Sequence, residues 1–154
     1  MNITSLLSKD LVFFLESAEK EAVIRELIEK LHEKKLIKKK EQIIKKVLDR
    51  EALGSTGIGK GVAIPHCKIK ELKKPIIAAG VNKEGIGFDS NDKKPTYLVI
   101  MVISPTENPT YHLQILAAAA HLAQKSDSFM EDLRNSTSPI EVYEILKEAE
   151  LSES

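Results

Sequence analysis

The chain has 154 residues, 42% of them hydrophobic and 30% charged, with Lys+Arg and Asp+Glu both at 23. A single domain of this size buries a core without staples, and a formal net charge of zero argues against nucleic acid or an anionic membrane as the main partner. The lone Cys67 excludes a disulfide framework and a Cys-rich metal site, and the longest apolar run, Tyr97 to Ile103, falls far short of the roughly 20 residues that span a bilayer.

With no secretory pattern at the N-terminus, the expectation is a cytoplasmic protein forming one domain over residues 1–154. The lysines at 34–35, 38–40 and 45–46 are interleaved with apolar residues at helical spacing and read as a solvated face.

Leu11 to Leu15 reads as a short strand or buried lead-in. Ser17 is a plausible N-cap for a helix from about Ala18 to Lys34, in which Val23, Ile24, Leu27, Ile28 and Leu31 form one apolar stripe. A second helix from about Lys40 to Leu53 repeats the pattern with Ile43, Ile44, Val47 and Leu48. Arg50 lies in its last turn, where a cation suits the dipole, and Gly54 ends it.

Next comes the stretch around which the chain is organised, Gly54 to His66. Four of the seven glycines fall between Gly54 and Gly61. Such a loop can turn sharply and present backbone N–H groups to an anion. Val62 to Ile64 reads as a buried strand, stopped by Pro65, which leaves His66 rigidly placed at a strand end.

Strands follow at Ile76–Val81 and Tyr97–Ile103, the latter apolar throughout and therefore central. Asn82 to Pro95 between them reads as turn-rich, with a short strand near Phe88 allowed. A helix from about Thr110 to Gln124 is expected to turn Leu113, Leu116, Ala117 and Ala120 to the core. Ser126 is expected to cap a short helix through Phe129, Met130 and Leu133, and Ser138-Pro139-Ile140-Glu141 to open a last helix running to about Glu148. Strands and helices intermix, so the fold class is α/β, a mixed β-sheet flanked by helices.

Two conventional readings of the glycine loop fail. Gly54-x-x-x-x-Gly59-Lys60 resembles a P-loop, but Gly61 stands where the Mg²⁺-binding hydroxyl belongs and a helix precedes it instead of a strand. A dinucleotide fingerprint fails on spacing and context. No metal is expected: His66 and Cys67, adjacent on extended backbone, point to opposite faces, and no second ligand pair has metal spacing. Cys67 reads as a small packer or a partly exposed thiol, and His32 as a surface residue. His112 and His121 fall on opposite faces of one helix, so one of them at most reaches the site. His112, in the first turn, is the candidate, and His121 is assigned to the far side.

What remains suits phosphoryl transfer through nitrogen, because neutral imidazole is a nucleophile near pH 7 and the transfer needs positioning and charge neutralisation more than covalent help. Arg50 supplies a bidentate cation, Ser55 and Thr56 hydroxyls, Gly57 and Gly59 backbone N–H groups, and His112 a second imidazole.

Arg50-Glu51, the run Gly54-Ser55-Thr56-Gly57-Ile58-Gly59-Lys60-Gly61-Val62-Ala63-Ile64-Pro65-His66, and His112-Leu113-Gln114-Ile115-Leu116 together resemble the signature of enzyme IIA of the fructose/mannitol type. This is a component of the bacterial phosphoenolpyruvate-dependent sugar phosphotransferase system. The resemblance spans essentially the whole chain. It implies that His66 accepts phosphate from the phosphocarrier HPr or a paralogue and passes it to a cysteine on a IIB domain, supported by Arg50 and His112, with no cofactor. The alternative that it admits is the nitrogen-regulatory IIA branch, whose phosphorylation state governs binding to target proteins. Cys67 departs from the small residue, often glycine, usual in the family, and Asn91-Asp92-Lys93 replaces a commoner Asp-Gly turn.

Overall fold

The computed structural model describes residues 1–125 and 127–152. Short 3-10 turns at Ile3–Ser5 and Lys9–Leu11 lead into β1 (Val12–Phe14), and then α1 (Lys20–Glu33) and α2 (Lys40–Ala52). Four strands cluster next: β2 (Gly57–Gly59), β3 (Val62–Ala63), β4 (His66–Ile69) and β5 (Ile76–Ile86). The chain closes with β6 (Thr96–Pro105), α3 (Pro109–Leu122), α4 (Asp127–Arg134) and α5 (Pro139–Leu151). The strands form one mixed sheet in the order β1-β5-β6-β3-β2, with β4 also paired to β6.

Strand β6 is central, as its composition requires. It runs antiparallel to β5 on one side and parallel to β3 and β4 on the other, and every residue from Leu98 to Ile103 is fully buried. The apolar stripe of α1, where Val23, Ile24, Leu27, Ile28 and Leu31 are all buried, packs against α2 and β5, and that of α2, with Ile43, Ile44 and Val47, against α1 and β4, while α3 lies on β6. Gly80 on β5 has no room for a side chain, since a Cβ there would sit 2.6 Å from Leu15 Cγ. Among the described residues no helix is long and apolar enough to cross a membrane.

Several boundaries differ from the sequence reading, each for a local reason. Ser17 does not cap α1. Residues before Lys20 stay extended because Gly87 N–H donates to the Ala18 carbonyl (2.8 Å) and the Glu26 carboxylate accepts from Ser17 N–H (2.9 Å). The Asn82–Pro95 segment is only partly a turn. Strand β5 continues to Ile86 through an irregularity, with Asn82 Oδ1 accepting from the Glu84 and Gly85 N–H groups and Gly85 at φ +106°. Phe88 forms no strand and is buried in the core.

The core face of α3 is His112, Ile115, Ala119 and Leu122, whereas Leu113 is 66% exposed and Ala117 is also exposed. Of the four expected core positions, Leu116 and Ala120 are partly buried and pack against the core. Ser126 lies outside the described residues, and the short helix expected after it is present as α4. At α5, Ser138 Oγ accepts from Glu141 N–H as its motif demands, and Glu141 reaches back to Thr137 N–H (2.7 Å).

Candidate active site

The site begins at the proline. Residues 62 to 69 run along β6 in one constant register, with Val62 opposite Leu98 and His66 opposite Val102. Pro65 has no N–H to contribute, so the run breaks there into β3 and β4. His66 is therefore not the end of a strand but the first residue of β4. The break turns the Ile64 carbonyl towards the imidazole, and His66 Nδ1 lies 2.8 Å from it. A carbonyl only accepts, so Nδ1 carries the proton and Nε2 keeps its lone pair.

Helix α2 brings Arg50 to the same cleft. Its Nη1 donates to the Gly54 carbonyl at 2.9 Å, which covers the helix C-terminus and curls the guanidinium over the start of the loop. Helix α3 supplies His112 from its first turn, after Asn108 caps it through Tyr111 N–H. The His66 and His112 rings lie 5.4 Å apart between centroids and tilt at 57°. His112 is 4% exposed, and its Nδ1 is buried with no hydrogen-bond partner. These groups line an open cleft of about 430 Å³ with Lys46, Cys67, Lys68, Leu113 and Leu116.

The electrostatics keep both rings neutral. Burial is the main force holding His66 below the ordinary histidine pKa; Arg50 and Lys68 push the same way, and the Ile64 carbonyl and Glu51 oppose them. Burial, with His66 and Lys68 adding to it, takes His112 down to about 4. The Cys67 thiol goes the other way, up to about 12, through burial. It is a packed thiol and no nucleophile at neutral pH. The site thus offers one free imidazole nitrogen at the mouth of a cationic cleft.

Of the residues expected from sequence, the fold brings together Arg50, His66 and His112. It does not bring Ser55, Thr56, Gly57 or Gly59 into the cleft lining, and their donors are spent inside the loop. Ser55 Oγ donates to the Phe88 carbonyl (2.7 Å) and accepts from Gly57 N–H (3.0 Å). Thr56 bonds the Glu51 carboxylate through both N–H and hydroxyl. Gly59 N–H goes to Ser90 Oγ (3.1 Å). His121 is exposed on the far side of α3 and His32 is half-buried on α1.

Sequence reasoning missed Lys46 and Lys68 as cleft cations, and it missed Glu51. The signal for Glu51 was available: an acid in the last turn of a helix sits against the dipole and calls for a reason. The family departure at 91–93 is also explained. Lys93 adopts φ +60°, the conformation a glycine would take more easily, and Asp92 accepts from Lys60 and Lys94 N–H groups.

A larger hollow of about 810 Å³ lies beside Tyr97, Met130 and Arg134, and among the described residues no histidine, cysteine, serine or threonine lines it.

Residues 5–149 match the family described as "Phosphoenolpyruvate-dependent sugar phosphotransferase system, EIIA 2". The chain is 33% identical over 131 residues to the fructose-specific EIIA component of Haloferax volcanii, covering 85% of this chain and 84% of that protein. It is 36% identical over 126 residues to the nitrogen regulatory protein of Klebsiella oxytoca, covering 80% and 76%. A 35% match to the fructose-specific EIIABC component of Bacillus subtilis covers 82% of this chain but only 20% of that longer protein.

Among solved structures, nitrogen regulatory protein IIA-Ntr from Neisseria meningitidis superposes with a TM-score of 0.80 at 31% identity, over 94% of this chain and 98% of that one. The complex of IIA mannitol with phosphorylated IIB mannitol from Escherichia coli gives 0.73 at 25% identity, over 92% and 96%. Sequence match, fold and histidine cleft agree, and the chain belongs to the EIIA 2 family of the phosphoenolpyruvate-dependent sugar phosphotransferase system.

Proposed function

We propose that His66 is a transient phosphohistidine, charged by phosphorylated HPr or a paralogue and discharged to a cysteine of a IIB domain. The observation that carries this reading is the hydrogen bond from Nδ1 to the Ile64 carbonyl, which leaves Nε2 as the nucleophile. In the first step the Nε2 lone pair forms a bond to phosphorus as the donor's N–P bond breaks, its electron pair returning to the donor ring. His66 keeps its Nδ1 proton and becomes a phosphoimidazolium, whose charge the Ile64 carbonyl stabilises. In the second step a IIB thiolate forms the S–P bond and the electron pair returns to Nε2.

Arg50 neutralises phosphoryl oxygens through its planar fork, with Lys68 and Lys46 adding positive charge. His112, neutral and largely dry, offers a ring N–H to a phosphoryl oxygen. Ser55, Thr56, Gly57 and Gly59 hold the loop from behind. Residues 1–154 act as one unit in the cytoplasm, where a soluble phosphocarrier reaches the cleft, and the exposed Leu113 beside it offers an apolar contact for the docking protein.

A second reading has specific support in the likeness to nitrogen regulatory proteins from Klebsiella and Neisseria. In it, phosphate on His66 switches the same face between binding and releasing a target protein.

The test is incubation with phosphoenolpyruvate, enzyme I and HPr, followed by intact mass and acid lability. One acid-labile phosphate, lost in a folded His66→Ala, is expected; labelling that survives on another residue would overturn the assignment. Rapid onward transfer to a IIB cysteine supports the transport role. A stable complex made or broken by phosphate supports regulation.

A further inference from the structure

Glu51 is a carboxylate in an unfavourable place. It lies in the last turn of α2, against the negative end of the helix dipole, and its side chain is only 3% exposed. Two partners hold it there. Lys20 Nζ from the start of α1 stands 3.1 Å from Oε2, and Thr56 donates its N–H to Oε2 at 3.2 Å and its hydroxyl to Oε1. Lys20 is itself steered, lying 3.5 Å from Asp89 Oδ2 and over the Phe88 ring.

The chain of contacts does not stop at Thr56. The Thr56 carbonyl accepts from Ile64 N–H at 3.0 Å, and the Ile64 carbonyl accepts from His66 Nδ1 at 2.8 Å. Lys20, Glu51, Thr56, Ile64 and His66 are thus joined without a gap. The residue before Glu51 is Arg50, so the same helix turn carries the cleft's guanidinium and this buried acid. The charged and titratable groups that bear on the His66 ring are Arg50 and Glu51 from α2, Lys68 from β4 and His112 from α3, with Lys46 lining the same cleft. Glu51 is the anion in that set.

We infer that Glu51, seated on Lys20, is the positioning residue for His66: through Thr56 and Ile64 it fixes the tautomer that exposes Nε2, and it supplies the negative charge that balances the ring once phosphoryl transfer makes it cationic. The inference rests on the phosphohistidine reading for its second half only. Glutamine keeps the shape of Glu51 but has one acceptor oxygen where Thr56 and Lys20 use two, so it loses part of the bridge together with the charge. A loss of the bridge alone would shift the tautomer, and the loss of charge is read in the His66 titration.

The experiment compares wild type, Glu51→Gln, Lys20→Met and Lys20→Arg as folded proteins. Nitrogen-15 NMR of the His66 ring reads tautomer and titration, and the initial rate of labelling by phosphoramidate reads reactivity towards a small donor that needs no docking. In Glu51→Gln the share of Nδ1–H tautomer is expected to drop, the His66 titration to move further down, and labelling to slow roughly tenfold. Lys20→Met should lower the tautomer share and rate less, and Lys20→Arg should restore both.

A folded Glu51→Gln with wild-type tautomer, titration and rate would overturn the inference. Should Glu51→Gln not fold, a folded Lys20→Met with unchanged tautomer and rate would overturn it instead. If phosphoramidate fails to label wild-type His66, the phosphohistidine reading falls, while the tautomer measurement still decides the positioning role.

Discussion

Two regions of this molecule carry the chemistry of an anion site, and only one of them has it to offer. The glycine loop from Gly54 to Gly61 has the composition of a phosphate cradle, yet its N–H and hydroxyl donors at Ser55, Thr56, Gly57 and Gly59 are satisfied by Phe88, Glu51, Ser55 and Ser90. The cleft at Arg50, His66 and His112 looks poorer on paper, with few glycines and no N–H cluster. It nonetheless presents a free imidazole nitrogen, a guanidinium and two lysines. Glycines permit a backbone shape, and what that shape binds depends on whether its donors have other partners.

The largest effect that separates the regions is expected at Arg50. Arg50→Ala should slow phosphoryl transfer to His66 on the order of 100-fold, as loss of one preorganised donor does elsewhere. Its thermal stability should change little, because the residue is only half-buried and its bond to the Gly54 carbonyl is solvent-exposed. Arg50→Lys keeps the charge but not the fork and should fall between. A normal rate in Arg50→Ala would move the cationic role to Lys46 and Lys68.

The cleft also carries a pH signature that the loop lacks. Burial holds His112 at about 4 in the folded chain, below the ordinary value of 6.5. Between those values the unfolded chain takes up a proton that the folded chain refuses. Stability is therefore full above about pH 6.5 and falls as pH drops towards 4, by up to about 3 kcal/mol. His66, also depressed, adds loss of the same sign. Denaturant titrations at several pH values should show the slope in wild type and a shallower one in His112→Gln. Equal slopes would mean that His112 is protonated in the fold after all.

How far the sequence carried the reading follows the same division. The elements with strong periodicity, α1, α2 and β6, were legible, because burial of one stripe or of both faces leaves a regular pattern. His66, Arg50 and His112 were legible because proline, a helix end and a helix start each constrain where a side chain goes. Hydrogen-bond partners distant in the chain were not. Nothing near Gly59 announces Ser90, and nothing near Ser55 announces the Phe88 carbonyl, so an open-looking loop was read as open. The face of α3 was misread for a related reason. A buried histidine breaks the apolar pattern from which the face is inferred, so Leu113 and Ala117 are left in solvent while Leu116 and Ala120 still pack against the core.

Gly61 tests the loop as scaffold. It sits at φ +81°, and a Cβ there would stand 3.1 Å from Met130 Cε and 3.2 Å from Tyr97 Cδ2. Gly61→Ala should cost about 2 kcal/mol by combining left-handed strain with a tight contact. The rate of His66 phosphorylation per folded molecule should hold. A rate that fell while stability held would make the loop part of the binding surface.

Ser55 is the smallest and sharpest of these tests, because both readings assign it a role and the roles differ. As a phosphate ligand its hydroxyl would act in transfer, and Ser55→Ala would slow phosphorylation while leaving the fold alone. As the structure has it, Oγ joins the Phe88 carbonyl to Gly57 N–H across the base of the loop. Removing it strands both partners and should cost about 1 kcal/mol in denaturation, with the phosphorylation rate of folded protein within about twofold of wild type, a twofold change being only ~0.4 kcal/mol of barrier. Parallel measurement of the two quantities in one variant decides between them. A slowed transfer with intact stability would show that the hydroxyl leaves Phe88 when phosphate arrives, and the loop would rejoin the site.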